Sequence, residues 1–463
     1  MASEIHLKNP FTGELLQRYP LENFETIQHK LAQARKAQNS WKSLSLDTRI
    51  SALEDALSYF EENRELLGRE ISEQMGRPLS QASGEVDGML VRARHQISIA
   101  KESLARDEFT DQNGFIREME HKPLGVILII SAWNYPLLIG INGVITALLA
   151  GNTVLMKNAR YTLSIGDHFK NAFGKLAGIE HLLQAIVIDH ATTKQTIEET
   201  DIDHVVFTGS VDAGRIIYHS VAERLIDCTL ELGGKDAAYV AEDADIAQAA
   251  ETVVDGAFFN AGQCCCGIER VYVHQSVAAD FIAQCKRLAE AYVLGDPADA
   301  KTTMGPLAGG ESAAALLTGQ VDDALAKGAH ILCGGKGLQI GNGQFFEATI
   351  LESVSHEMTV MHEENFGPIL PVMIVADDAE AIGLINDSEF GLTTAIFTSS
   401  TTRVREFSDG VEAGTVFMNR CDYLDPALAW SGVKHSGVGC SLSRYGFYAL
   451  SRTQSNHFKL PSG

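Results

Sequence analysis

Three consecutive cysteines, Cys264, Cys265 and Cys266, follow the stretch Phe259-Asn260-Ala261-Gly262-Gln263. A thiolate is the best nucleophile among side chains near neutral pH, and the small residues before it let a substrate approach. The competing reading is structural, since buried cysteines usually behave as small hydrophobes. Zinc is disfavoured and no metal is expected: three adjacent cysteines point in different directions and lack the Cys-x₂₋₄-Cys ligand spacing. Glu231 lies between Leu230 and Leu232, just before Gly233-Gly234-Lys235. Desolvation there raises a carboxyl pKa toward the range of a general base; the plain alternative is a strand-end Glu beside a turn. Asn134 is an amide in the otherwise apolar run around Trp133 and Tyr135. Its NH₂ must find a partner, either a neighbouring turn or a developing oxyanion. The run Phe207-Thr208-Gly209-Ser210-Val211-Asp212-Ala213-Gly214 follows a strand pattern and opens a helix. Its amides could cradle a phosphate, although it is not the common Gly-x-Gly-x-x-Gly fingerprint. Taken singly, each motif leaves its structural alternative open.

The elements that must position these residues are legible in the apolar pattern. From about residue 24 to 104, leucines and phenylalanines such as Leu53, Leu57, Phe60 and Leu67 recur at helical spacing among charges. Short apolar runs follow at 124–130, 153–156, 185–188 and 204–207, separated by helical segments. A second series occupies 237–240, 270–273, 370–375, 394–398 and 415–418. This texture predicts α/β architecture, with parallel sheets covered on both faces and two such domains in series. The apolar stretch 124–156 is broken by Asn134, Pro136, Asn142, Gly151 and Asn152. It therefore reads as strand, loop, buried helix and strand rather than as a membrane span. With 463 residues the chain can form about three units. A net charge of -23 opposes binding to nucleic acid or anionic membranes. The first ten residues lack a signal pattern and the eight cysteines suit no disulfide scaffold, so a reducing cytoplasm is expected.

Together and in order, seven blocks resemble the aldehyde dehydrogenase superfamily. They are Trp133-Asn134-Tyr135-Pro136, Met156-Lys157, Phe207-Thr208-Gly209-Ser210, Glu231-Leu232-Gly233-Gly234-Lys235, Gly262-Gln263-Cys264-Cys265, Glu363-Glu364-Asn365-Phe366-Gly367-Pro368 and Lys434-His435-Ser436-Gly437. The resemblance spans nearly the whole chain. It implies a Rossmann-like cofactor domain (1–104 and 124–232), an α/β catalytic domain (233–436), and a small strand-based oligomerisation element with the C-terminal segment (105–123 and 437–463). A homodimer or homotetramer follows from it. It implies oxidation of a small-molecule aldehyde to the acid with NAD or NADP. Cys265 would be the nucleophile, selected by its place after Gly-Gln. Asn134 and the Cys265 N–H would hold the oxyanion, and Glu231 would activate water against the thioester. Trp133, Lys157, Gly209, Ser210, Gly214, Glu364 and Phe366 would serve the cofactor.

Three departures from the family pattern stand out. Arg160 occupies the place where many NAD-using members carry a ribose-binding Glu, so NADP stays open. Cys440-Ser441 stands where an auxiliary acid is often found. The expected substrate tunnel comprises Tyr135, Asn142, Phe259, Leu424 and Trp430. Tyr135 and Trp430 resemble the aromatic box of aminoaldehyde-oxidising members, with Asp422 and Asp425 in the same loop segment; core aromatics and solvated carboxylates are the competing reading. Asn142, replacing a bulkier residue, would widen the tunnel. The substrate is thus expected to be a semialdehyde or an ω-aminoaldehyde. The rival functions are a CoA-acylating aldehyde dehydrogenase, which generally lacks the hydrolytic Glu, and a catalytically silent structural relative, which would not need Cys265, Glu231 and Asn134 together.

Overall fold

The computed structural model describes residues 4–461; the ends of the expected cofactor domain and C-terminal segment, residues 1–3 and 462–463, lie outside them. The strand Val126–Ser131 is buried along its whole length, as a strand must be when helices cover both faces of a parallel sheet. It pairs in parallel with Thr153–Asn158 and His204–Thr208. Leu183–Ile186 and Asp227–Glu231 extend this sheet on either side. The connecting helix Pro136–Leu149 carries Pro136 in its first turn, where a missing N–H is harmless. Four helices, Phe24–Trp41, Leu46–Glu62, Arg64–Met75 and Leu79–Ser103, occupy the region expected to be helical. Asn23 and Ser45 cap the first two through their side chains.

A second sheet of seven strands has the order His330–Cys333, Thr349–Glu352, Ile369–Val375, Arg270–His274, Ala237–Val240, Thr393–Phe397, Thr415–Met418. All its neighbours are parallel except the first pair. A third, exposed sheet pairs Ser451–Lys459 with Phe115–Pro123 and adds Asp107–Glu108.

Two features differ from the sequence reading. Glu4–Lys8 and Leu15–Pro20 form a hairpin that the apolar pattern does not announce, because most of its side chains face solvent. The segment from 437 does not join the third sheet at once. Gly437–Val438 first pairs antiparallel with Leu230 and Glu231, at the edge of the first sheet. A Cβ on Gly437 would lie 2.5 Å from the Leu230 carbonyl, so only glycine lets the two backbones meet.

Both sheets converge through one buried ion pair. Lys235, beyond the end of Asp227–Glu231, places Nζ 2.9 Å from Glu269 and 2.7 Å from Asn365 Oδ1. Glu269 in turn accepts the N–H groups of Asn365 and Phe366 at 2.7 and 2.9 Å. A buried charge pair is tolerable when its remaining valences are satisfied in this way. It ties the Glu231–Lys235 block to the loop of Glu364 and Phe366. No helix among the described residues is long and apolar enough to cross a membrane.

Candidate active site

The helix Ile246–Phe258 ends in a turn that only an unusual backbone allows. Asn260, Ala261 and Gly262 have φ of 55°, 56° and 69°, all left-handed. Such a conformation costs roughly 1–3 kcal/mol at a residue other than glycine and needs surrounding support. Asn260 supplies part of it: its amide donates to the Gln263 carbonyl at 3.1 Å, and Gln263 Nε2 returns a bond to the Asn260 carbonyl at 3.0 Å. Gly262 is required twice over, because a Cβ there would meet the Gly367 carbonyl carbon at 2.4 Å.

The turn delivers the three cysteines in different environments. Cys264 and Cys266 are buried, their sulfurs 3.6 Å apart, whereas Cys265 is partly exposed. Tyr135, Leu424, Trp430, Leu392 and Leu442 pack around them. Phe259, half-buried at the start of the turn, stands outside this cluster. The thiols titrate as a set. Interaction with Cys265 and Cys266 holds Cys264 well below the ordinary thiol range, while the same interaction together with burial raises Cys265 and Cys266. Of the three, Cys265 is the one with exposed surface.

Asn134 is buried beside it and donates one N–H to the Gln263 carbonyl at 3.3 Å. Among the described residues its second N–H has no acceptor, and neither does the backbone N–H of Cys265. Asn134 is held by a residue that the sequence reading missed. Arg77 is buried, donates through Nη2 to the Asn134 carbonyl, through Nε to Asn260 Oδ1 at 3.2 Å, and through Nη1 to Glu85 at 2.6 Å. Glu85 accepts the N–H groups of Leu137 and Leu138 at 2.7 and 3.2 Å, capping the helix that follows Asn134. The Arg77 guanidinium also lies 4.3 Å from the centre of the Tyr135 ring. The expected aromatic box therefore already has a cation on one of its walls.

Glu231 ends the strand Asp227–Glu231 with its carboxylate between two hydroxyls. Thr208 donates to Oε2 at 3.3 Å and Ser441 donates to Oε1. Burial raises its pKa, and the two hydroxyls oppose that rise. Its charge is close enough to Cys265 to raise that thiol. Asp422 is largely buried, with a pKa pushed up to about 7 by burial and then by Cys264, whereas Asp425 is exposed.

The residues expected to serve a dinucleotide line the ends of the first sheet. Ser210 caps the helix Val211–Ala222, whose N-terminal amides suit a pyrophosphate. Gly209 immediately precedes it. Gly214 packs its bare face on Leu232, where a Cβ would meet Cδ2 at 2.5 Å, so glycine there permits close helix–strand packing. Lys157 is half-buried at the end of Thr153–Asn158, and burial lowers its pKa. The neighbouring Asn158 leaves both side-chain polar atoms without a partner. Arg160 is exposed and donates to the Tyr161 hydroxyl at 2.6 Å. Trp133 meets Phe366 and Tyr161 edge-on at 5.5 and 5.6 Å. Glu364 rests on the Gly233-Gly234 turn, accepting the Gly234 N–H at 3.2 Å, and burial and then Glu269 push its pKa up to about 8. A helix N-terminus and a strand-end lysine together fit a phosphate-bearing cofactor.

Residues 1–456 match the model of the aldehyde dehydrogenase family. The chain belongs to that family. The succinate semialdehyde dehydrogenase of Escherichia coli, named for use of NAD(P)+, is 34% identical over 455 residues, 96% of each chain. An aldehyde dehydrogenase of Paenarthrobacter nicotinovorans is 33% identical over 95% of this chain and 96% of its own. The solved NADP-dependent glyceraldehyde-3-phosphate dehydrogenase of Bacillus halodurans, complexed with NADP, superposes with a TM-score of 0.92 at 32% identity, covering 99% of this chain and 96% of that one. This aldehyde dehydrogenase oxidises an aldehyde to the carboxylic acid with NAD(P)+.

The hydroxyl of Ser441 stabilises ionised Glu231, so Ser441→Ala should raise the Glu231 pKa further. With Glu231 as the general base, activity is lost as pH falls through that pKa, because a base works only when ionised. The acid limb of the kcat–pH profile should therefore move to higher pH in Ser441→Ala, measured by NAD(P)H absorbance. An acid limb left in place would show that Glu231 does not set it.

Proposed function

We propose that the aldehyde is oxidised through a thioester on Cys265 that Glu231 hydrolyses. The observation that carries this reading is one convergence: the only partly exposed cysteine of the three, N–H donors of Asn134 and Cys265 left without acceptors among the described residues, and a raised carboxyl whose charge reaches Cys265. Cys265 Sγ attacks the aldehyde carbon, and the Asn134 amide and Cys265 N–H receive the oxyanion. The nicotinamide, when bound, supplies the hydride acceptor. Glu231 then takes a proton from water, and the hydroxide equivalent displaces the sulfur. Lys157, Ser210, Glu364, Phe366 and Trp133 would hold the cofactor. Water rather than CoA is the acyl acceptor, because Glu231 is present and poised by Thr208 and Ser441. The name of the Escherichia coli relative supports a semialdehyde as substrate.

The same reading assigns the first sheet and its helices to cofactor binding and the second sheet to catalysis. It assigns the exposed sheet of Phe115–Pro123 and Ser451–Lys459 to a homodimer or homotetramer in the cytoplasm.

Glu231→Gln should acylate but not hydrolyse. Rapid mixing should give a burst of about one NAD(P)H per site followed by slow turnover, unrelieved by CoA. Steady turnover at the wild-type rate would remove Glu231 from the role; rescue by CoA would favour an acylating enzyme.

Cofactor choice follows from Arg160. Arg160 stands where a carboxylate could claim a 2′-hydroxyl, and although the charge of Asp189 reaches Lys157, the two cations Arg160 and Lys157 favour a 2′-phosphate. Hydrogen bonds to charged groups contribute about 1.5–3 kcal/mol. Arg160→Glu should therefore shift the kcat/KM ratio toward NAD by about tenfold or more. An unchanged ratio would show that Arg160 does not reach the ribose.

A further inference from the structure

Four cations are buried among the described residues: Arg77 and Lys235 have carboxylate partners, Arg270 spends its donors on carbonyls and the Tyr272 hydroxyl, and Arg92 is the fourth. Arg77 is paired with Glu85 and Lys235 with Glu269. Arg92, on the helix Leu79–Ser103, is only 9% exposed. Among the described residues it forms no ion pair. Its Nη1 donates to Asn142 Oδ1 at 3.3 Å and to the Leu138 carbonyl at 3.4 Å, and its Nε and Nη2 donate to no protein atom. Asn142 likewise keeps its Nδ2 free. None of these donors is among the polar atoms sealed inside the protein without a partner, so they open onto accessible space. Both acceptors lie on the helix Pro136–Leu149, which begins two residues after Asn134, and the charges of Cys266, Glu231, Glu85 and Cys265 reach the guanidinium.

A buried guanidinium with unused donors is costly, and a planar fork of donors matches a carboxylate. We infer that Arg92, with the Asn142 amide, receives a carboxylate at the far end of the substrate, making this a dehydrogenase of ω-carboxylated aldehydes. Asn142 is then a ligand-binding amide rather than a residue that merely widens the tunnel. An ω-ammonium group would meet Arg92 in its path and Arg77 already on the Tyr135 ring. The inference rests on the proposed thioester route only for which sulfur meets the aldehyde end.

The test compares 4-oxobutanoate with pentanal, a neutral aldehyde of similar length. Wild type should favour 4-oxobutanoate in kcat/KM. Arg92→Gln should lower that preference by about 10- to 100-fold, chiefly through KM, as expected for losing hydrogen bonds between charged groups. Arg92→Lys should retain more of it. A wild-type preference for pentanal, or a ratio that Arg92→Gln leaves unmoved, would overturn the inference. A measurement on the wild-type enzyme stands beside it: succinate should protect Cys265 from iodoacetamide at lower concentration than butyrate, and equal protection would overturn the inference. The NAD(P)H burst of Glu231→Gln with pentanal tests the hydrolytic reading without involving Arg92, so the two can fail separately.

Discussion

The buried Arg77–Glu85 ion pair is the joint on which the site depends. Both side chains are 1% exposed. A buried charge pair is tolerated when hydrogen bonds satisfy both ions, and losing either partner would leave the other uncompensated. Here all three guanidinium nitrogens and both carboxylate oxygens are used. One pair thereby connects the helix Leu79–Ser103, the N-terminus of Pro136–Leu149, the Asn134 backbone and the left-handed turn at Asn260. The turn presents Cys265, and the loop before the helix presents Asn134. Their relative position is a consequence of where Arg77 sits.

The same logic sorts the carboxylates by role. Glu85 and Glu269 each face a buried cation and act as structural anions. Glu231 faces two hydroxyls and no paired cation, so burial dominates and its pKa rises. Glu364 has one N–H donor and a like-charged neighbour, and it rises too. A carboxylate neutralised by a lysine or arginine is a poor base; one held by neutral donors in a partly closed site keeps its proton affinity. This difference, more than position alone, separates Glu231 from its buried relatives.

How much of this was readable in the sequence depended on how local the cause was. Buried parallel strands are continuous apolar runs, so 237–240 is bounded as observed, and the edge strand 415–418 matches as well although only Phe417 in it is buried. The N-terminal hairpin has no such run and escaped notice. The ordered blocks point to Cys265, Glu231 and Asn134, but not to what holds them. Arg77 and Arg92 looked like ordinary charges on amphipathic helices, because their partners are distant in sequence. One signal was available: Glu85, Met89, Arg92 and Gln96 recur at helical spacing, and all four are buried. Charged residues within an apolar stripe call for partners in the fold. That Gly214 also packs on Leu232 is visible only from the helix–strand distance. At Ser441 only the absence of an auxiliary acid was evident; its hydroxyl reaches Glu231 across the edge strand Gly437–Val438, which local pattern does not reveal.

The central claim is that the fold exposes one sulfur of three to the aldehyde. Peptide mass mapping after an acid quench of Glu231→Gln, mixed with NADP+ and an aldehyde, reads that choice directly. The acyl group is predicted on Cys265, with Cys264 and Cys266 unmodified. An acyl group on Cys264 or Cys266 would contradict the account.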